Sequence, residues 1–146
     1  VNSKGHFNVP LGRYKNPPIL DEGRLRAASA ALQGVELAVR DFDEGVADAE
    51  AGDFIYFDPP YVPLSDTANF TSYSKRAFGE SEQRALAQTF REGDRRGCRV
   101  MLSNADTPLV HELYSGFRIV RVQARRAINT DARKRGPIHE VVVLNY

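Results

Sequence analysis

Residues 54–61 read Phe-Ile-Tyr-Phe-Asp-Pro-Pro-Tyr, and the proline pair restricts the possible folds of this chain more than any other stretch. Two consecutive prolines fix two φ angles and remove two backbone N–H donors. Neither a helix interior nor a central strand runs through such a pair. The apolar run Asp53–Phe57 is therefore a short strand that stops at Asp58, and the chain beyond it must turn.

The same restriction has chemical content. In open parallel sheets, ligands bind beyond the carboxyl ends of strands, where Asp58 would stand. The prolines keep their carbonyls as acceptors while donating nothing. Asp58, Pro59, Pro60 and Tyr61 thus offer a carboxylate, a rigid carbonyl and an aromatic face close together. A flat ring bearing an exocyclic amine, such as adenine or cytosine, fits that combination. Hydrogen bonds from the amine to the Asp58 carboxylate and the Pro59 carbonyl would draw the nitrogen lone pair out of conjugation and aim it at an electrophile. Tyr61 would stack on the ring. The work is positioning and electrostatics, with no covalent intermediate. A base inside a duplex does not reach such a pocket, so it must be flipped out. The plain alternative is a Pro-Pro turn with an Asp cap. The apolar strand before the motif and the aromatic after it favour the clamp.

The rest of the chain reads as alternating elements. Residues 1–20 are rich in Gly, Asn and Pro, which predicts loops and a hairpin. Asp21 caps a helix running to about Gln33, with Leu25, Ala28 and Leu32 on one face and Gly34 ending it. Residues 35–39, Val-Glu-Leu-Ala-Val, read as a buried strand, and Asp43–Ala51 as a short helix. A polar loop over 62–79 precedes a helix from Glu80 to about Gly93, with Leu86 and Phe90 inward. A strand over 98–102, a short helix over 107–114 and two strands, 117–124 and 139–146, joined by a basic loop complete the chain. The expectation is an α/β fold with a mostly parallel sheet covered by helices and a C-terminal antiparallel hairpin.

Composition bounds the function only loosely. The chain has 146 residues, 42% hydrophobic and 27% charged, enough for one domain with a core. The net charge is +1, but its distribution is uneven. Arg121, Arg125, Arg126, Arg133, Lys134 and Arg135 crowd one end, Lys4, Arg13 and Lys15 the other, and acids dominate 41–53. Such asymmetry points to a polyanionic partner, with a solvated charged face as the alternative. Cys98 is the only cysteine, which excludes an internal disulfide and suits a reducing cytoplasm. No run of about 18 apolar residues is present, so no membrane span is expected. No signal peptide is read. His6, His111 and His139 are scattered and form no metal-ligand spacing.

Several blocks together carry a resemblance. The segment 54–73, the opening residues 1–17, the segment Leu102–Thr107 and the stretch 125–146 resemble, in order, the DNA adenine methyltransferase (Dam) family of S-adenosylmethionine-dependent enzymes. The resemblance implies a Rossmann-like methyltransferase sheet with Asp58, Pro59, Pro60 and Tyr61 as the catalytic tetrapeptide. It implies that Asp41 and Phe42 hold the cofactor's adenine and that Asp58 lies near its methionine end; an ordinary strand end remains the alternative at Asp41–Phe42. It places Asn69, Phe70 and Tyr73 beside the flipped base and cofactor; packing of the two aromatics under their own loop is the alternative. It assigns Asn2, Lys4, Gly5, Asn8, Pro10, Arg13 and Lys15 to a DNA-recognition segment. Arg13 and Lys15, with Arg125, Arg126, Arg133, Lys134 and Arg135, are natural phosphate partners whose contribution weakens with salt. Ser103 and Asn104 end a strand at the same sheet edge, either supporting the clamp or capping the helix at Thr107.

The family's opening Phe-x-Gly-x-Gly segment and the acid after its second strand have no match in these residues. The resemblance therefore implies a sheet incomplete on its N-terminal side. Residues 1–20 would be a remnant of the recognition hairpin and 21–146 the later part of the catalytic domain. The first residue, Val1, also suggests a fragment or processed chain. The implied function is methyl transfer from S-adenosylmethionine to N6 of adenine, with GATC as the expected site. Double-stranded DNA and the missing N-terminal half are the expected partners, and the bacterial or phage cytoplasm, at the nucleoid, the expected location. The alternatives are an inactive DNA-binding remnant or an amino-methyltransferase acting on RNA or cytosine.

Overall fold

The computed structural model of the chain describes Gly5, Lys15 and residues 19–63, 78–125 and 137–146. The chain divides into two compact units, Val1–Val39 and Arg40–Tyr146.

In the first unit, Glu22–Ala31 form helix α1. Asp21 caps it, its Oδ1 accepting the Arg24 N–H at 3.1 Å, as the sequence predicts. Gly34 follows at φ +81°, a left-handed conformation that glycine adopts without a Cβ clash. No residue of α1 is buried, and Leu25 and Leu32 are exposed. Residues 35–39 are not a strand, which corrects the sequence expectation: Leu37 and Val39 face solvent. A strand exists only through its ladder, and among the described residues none of the four strands pairs with this segment.

The second unit opens with Asp41 at the N-cap of a single helical turn, α2 (Phe42–Gly45). The helix expected over Asp43–Ala51 starts one residue earlier and gives way to turns after Gly45. The rest follows in the order β1 (Phe54–Phe57), α3 (Glu80–Arg95), β2 (Arg99–Ala105), α4 (Pro108–Leu113), β3 (Arg118–Arg125) and β4 (Pro137–Leu144). The sheet order is β1-β2-β4-β3. β1 runs parallel to β2, with Phe54 opposite Arg99 and Phe57 opposite Leu102. β4 lies antiparallel to both β2 and β3.

The architecture is thus mixed α/β with an open four-stranded sheet, consistent with a methyltransferase fold. The expectation of a mostly parallel sheet is corrected, since only one of the three ladders is parallel. A parallel pair needs a crossover helix, and α3 between β1 and β2 supplies the single one in this sheet. The C-terminal hairpin, by contrast, was legible from its two β-branched runs.

The core lies between α3, α4 and one face of the sheet. Leu86, Ala87 and Phe90 of α3 recur at helical spacing and pack with Ile55, Phe57, Val100, Leu102, Val141 and Val143. Alternation along the strands then divides the ends of β1 and β2 between two faces. Ile55 and Phe57 look toward α3, whereas Tyr56 looks away from it and is half exposed. Gly93 lets helix and sheet approach closely: a Cβ there would sit 3.0 Å from Val100 Cγ2 and 3.3 Å from Ile55 Cδ1. Gly93→Val is expected to lower stability by about 2 kcal/mol through overpacking, measured by chemical denaturation. An unchanged midpoint would show that α3 can move off the sheet without cost.

Candidate functional site

Beyond β1 the chain enters Asp58-Pro59-Pro60-Tyr61 at the carboxyl end of the parallel pair, where β2 ends in Ser103, Asn104 and Ala105. The pairing of Phe57 with Leu102 sets Asp58 beside Ser103. The Ser103 hydroxyl donates to Asp58 Oδ1 at 2.9 Å. Ser103 Oγ also lies 2.9 Å from the Tyr56 hydroxyl. A serine has one proton, and it goes to the carboxylate, so Tyr56 donates to Ser103. One buried hydroxyl thereby joins Tyr56 to the acid.

Burial pushes the Tyr61 phenol above its ordinary pKa; the neighbouring Ser103 hydroxyl works the other way, and the Glu140 and Asp58 charges add to the rise. The phenol therefore stays protonated at neutral pH and serves as a donor. Asp58 itself is exposed, with one carboxylate oxygen taken by Ser103.

On the other side of the motif lies an apolar cleft of about 250 Å³ lined by Phe42, Tyr56, Phe57, Asp58, Pro59, Pro60, Phe78 and Leu86. Phe42 and Phe78 form one wall, their rings edge to face with centroids 6.2 Å apart. A mainly apolar cleft with one carboxylate at its rim suits a planar heteroaromatic group that carries polar substituents.

Of the residues singled out in the sequence, the structure brings Asp58, Pro59, Pro60 and Phe42 together at the cleft, and Tyr61 is not part of its lining. Asp41 neighbours the cleft in sequence as the α2 N-cap and does not line it. Ser103 and Asn104 bond to the Asp58–Val62 segment: Asn104 Oδ1 accepts the Val62 N–H at 3.0 Å. Thr107 caps α4 with its own hydroxyl, so neither Ser103 nor Asn104 is spent there. Lys15 is exposed, and Arg125 stands in β3 opposite Pro137. Asn2, Lys4, Asn8, Pro10, Arg13, Asn69, Phe70, Tyr73, Arg126, Arg133, Lys134 and Arg135 lie outside the described residues. Arg121 of the basic cluster is paired, its Nε 2.6 Å from Asp106 Oδ2. The Asp106 carboxyl also lies 2.7 Å from His111 Nε2, and these two partners hold it below the ordinary carboxylate range.

Sequence reasoning missed Tyr56, Phe78 and Gln83. The first two are aromatics flanking the motif and its loop, a visible signal. Gln83 is a polar residue within a helix, and periodicity of apolar residues gives no reason to bury it. Among the described residues, no group of three His, Cys, Asp or Glu could hold a metal, and no helix is long and apolar enough to cross a membrane.

An acid and two prolines thus stand at the rim of an aromatic cleft in a mixed α/β domain. The chain belongs to the D12 class N6 adenine-specific DNA methyltransferase family, whose family model matches residues 1–128. It is 45% identical to a type II methyltransferase of Lactococcus lactis subsp. cremoris, over 100% of this chain and 52% of that protein. It is 46% identical to a type II methyltransferase of Methanocaldococcus jannaschii, over 100% of this chain and 51% of that protein. A DNA adenine methylase of Escherichia coli is 35% identical over 98% of this chain and 51% of its own length. The chain spans about half the length of these curated relatives.

Proposed function

We propose that this chain carries the transfer site of a DNA methyltransferase that moves a methyl group from S-adenosylmethionine to N6 of a flipped-out adenine. The observation that carries the reading is Asp58 at the end of β1, oriented by Ser103 and followed by two prolines at the rim of the aromatic cleft. The second carboxylate oxygen of Asp58 and the Pro59 carbonyl are the acceptors for the two amine hydrogens. Holding those hydrogens in place directs the nitrogen lone pair away from the ring. Tyr61 presents its face to the base.

The residues present fit S-adenosylmethionine. The Phe42–Phe78 wall suits the face of its adenine, Asp41 stands next to that wall in sequence, and the Asp58 charge suits its cationic end. When bound, S-adenosylmethionine supplies an electrophilic methyl group on a positively charged sulfur. The proposed DNA contacts are the residue 1–15 segment, the loop bearing Asn69, Phe70 and Tyr73, and the arginines and lysine between Arg125 and Arg135. The resemblance of the opening segment makes GATC the proposed site. The remaining half found in the relatives is a proposed partner.

Ser103→Ala is expected to slow transfer about tenfold, the effect of one hydrogen bond to a charged group, with folding retained. Equal rates in variant and parent would remove Ser103 from the proposed arrangement. The direct test incubates the chain and S-adenosylmethionine with unmethylated duplexes with and without GATC, and measures N6-methyladenine by mass spectrometry. Product confined to the GATC duplex supports the full reading. Absence of product, with salt-sensitive duplex binding retained, favours a second reading, a DNA-binding remnant; the half-length match to the relatives is the observation behind it.

A further inference from the structure

Tyr61 is held by its two flanking peptide groups. The Pro60 carbonyl, in the peptide before it, accepts from Gln83 Nε2 at 2.8 Å. The Val62 N–H, in the peptide after it, donates to Asn104 Oδ1 at 3.0 Å. The two side chains are joined, with Asn104 Nδ2 donating to Gln83 Oε1 at 3.1 Å. Peptide groups are planar, so anchoring one on each side sets both backbone torsions of the residue between them. Gln83 is 2% exposed and Asn104 is fully buried, so water does not compete for these bonds.

The direction of the relay follows from its partners. Asn104 Oδ1 also accepts the Ala105 N–H at 2.8 Å. Two backbone donors identify that atom as the oxygen, which leaves the Asn104 amide nitrogen to face Gln83. Gln83 must meet it with its own oxygen, and its nitrogen is then the atom that reaches Pro60. No other orientation of the two amides satisfies every bond.

From this geometry we infer that Gln83 is a positioning residue: through the Gln83–Asn104 relay, α3 and β2 fix the backbone of Tyr61 and hold its ring where the base is to stack. The inference rests on the reading of Asp58–Tyr61 as the transfer clamp. It adds that the clamp's aromatic face is set by a side chain more than twenty residues along the chain, in a helix that lines the core.

The near-isosteric variant Gln83→Glu separates this role from simple packing. The introduced carboxyl is buried and faces a carbonyl oxygen, and both raise its pKa above the ordinary glutamate value of about 4.3. Below that raised pKa it is neutral: its hydroxyl donates to Pro60, its carbonyl accepts from Asn104, and the pattern survives. Above it, two oxygens oppose each other and Pro60 is released. The rate of methyl transfer by the variant, relative to the parent at each pH, should fall roughly tenfold or more as pH rises through that pKa. The ratio would stay flat if Gln83 only fills space.

The second readout does not depend on catalysis. In the free 15N-labelled chain carrying Gln83→Glu, the Val62 amide resonance should titrate with the same midpoint. The Ala105 amide, bonded to the side chain next to it in sequence, should move far less. In Asn104→Asp the ionising group is the one that accepts both N–H donors, so the Val62 and Ala105 amides should titrate together. A Val62 amide that does not titrate in either variant overturns the relay. A Val62 amide that titrates while the rate ratio stays flat overturns the positioning role. If the parent transfers no methyl group, the proposed function has failed, and the amide titration alone decides whether Gln83 holds the Tyr61 backbone.

Discussion

Asp58→Ala is expected to lower methyl transfer by on the order of a thousandfold, the scale seen when one preorganised polar group is removed from a reacting centre. In the proposed arrangement the carboxylate accepts a hydrogen of the target amine, and Ser103, which donates to it, is a hydroxyl already bonded to Tyr56 and offers no second carboxylate. The loss should appear in the transfer step rather than in DNA affinity, because Asp58 carries the same sign of charge as the phosphates. Since Asp58 is exposed, the fold should be retained. Single-turnover transfer and duplex binding, measured on the same preparation, separate these effects. Undiminished transfer by the variant would end the proposed mechanism, and a parallel collapse of thermal stability would recast Asp58 as a structural cap.

Tyr61→Ala is expected to slow transfer by about ten- to a hundredfold, since an aromatic ring stacked on a base contributes roughly 1–3 kcal/mol. Tyr61→Phe keeps the face and removes only the phenol hydroxyl, so a milder effect is expected, at most roughly fivefold, the scale of one neutral hydrogen bond. The order of rates should therefore be parent, then Phe, then Ala. Rates with Phe below Ala would mean that the hydroxyl, and not the ring face, is what Tyr61 contributes. Fluorescence of 2-aminopurine at the target position adds an independent check, because a base stacked on the Tyr61 ring should be quenched, and less so in the alanine variant.

The elements that sequence reading placed well are those whose cause is local. β1 stops where the prolines remove its donors, and α3 follows the spacing of Leu86 and Phe90, ending at Arg95, two residues beyond the expected Gly93. β2 was expected over 98–102 and runs from Arg99 to Ala105. Its extension includes Ser103 and Asn104, polar residues that propensity assigns to a strand end. They continue the strand because β4 pairs with them, Ser103 opposite Val142 and Asn104 opposite Val141. The apolar run 35–39 failed for the converse reason: β-propensity without a partner strand makes no ladder.

Within the site, the carboxylate, the proline pair and the aromatic after it were legible because covalent geometry ties them together over four residues. Nothing in that stretch indicates that Asp58 would be held by Ser103, 45 residues on, or that Tyr61 would be gripped from both sides by Gln83 and Asn104. Those contacts exist because parallel pairing of β1 with β2 lays two strand ends side by side, and because α3 packs its one buried polar residue against that edge. Which acid stands at a strand end is a property of neighbours in the chain. Which groups orient it depends on the register between distant segments, and register follows from burying the apolar faces of β1, β2 and α3 together.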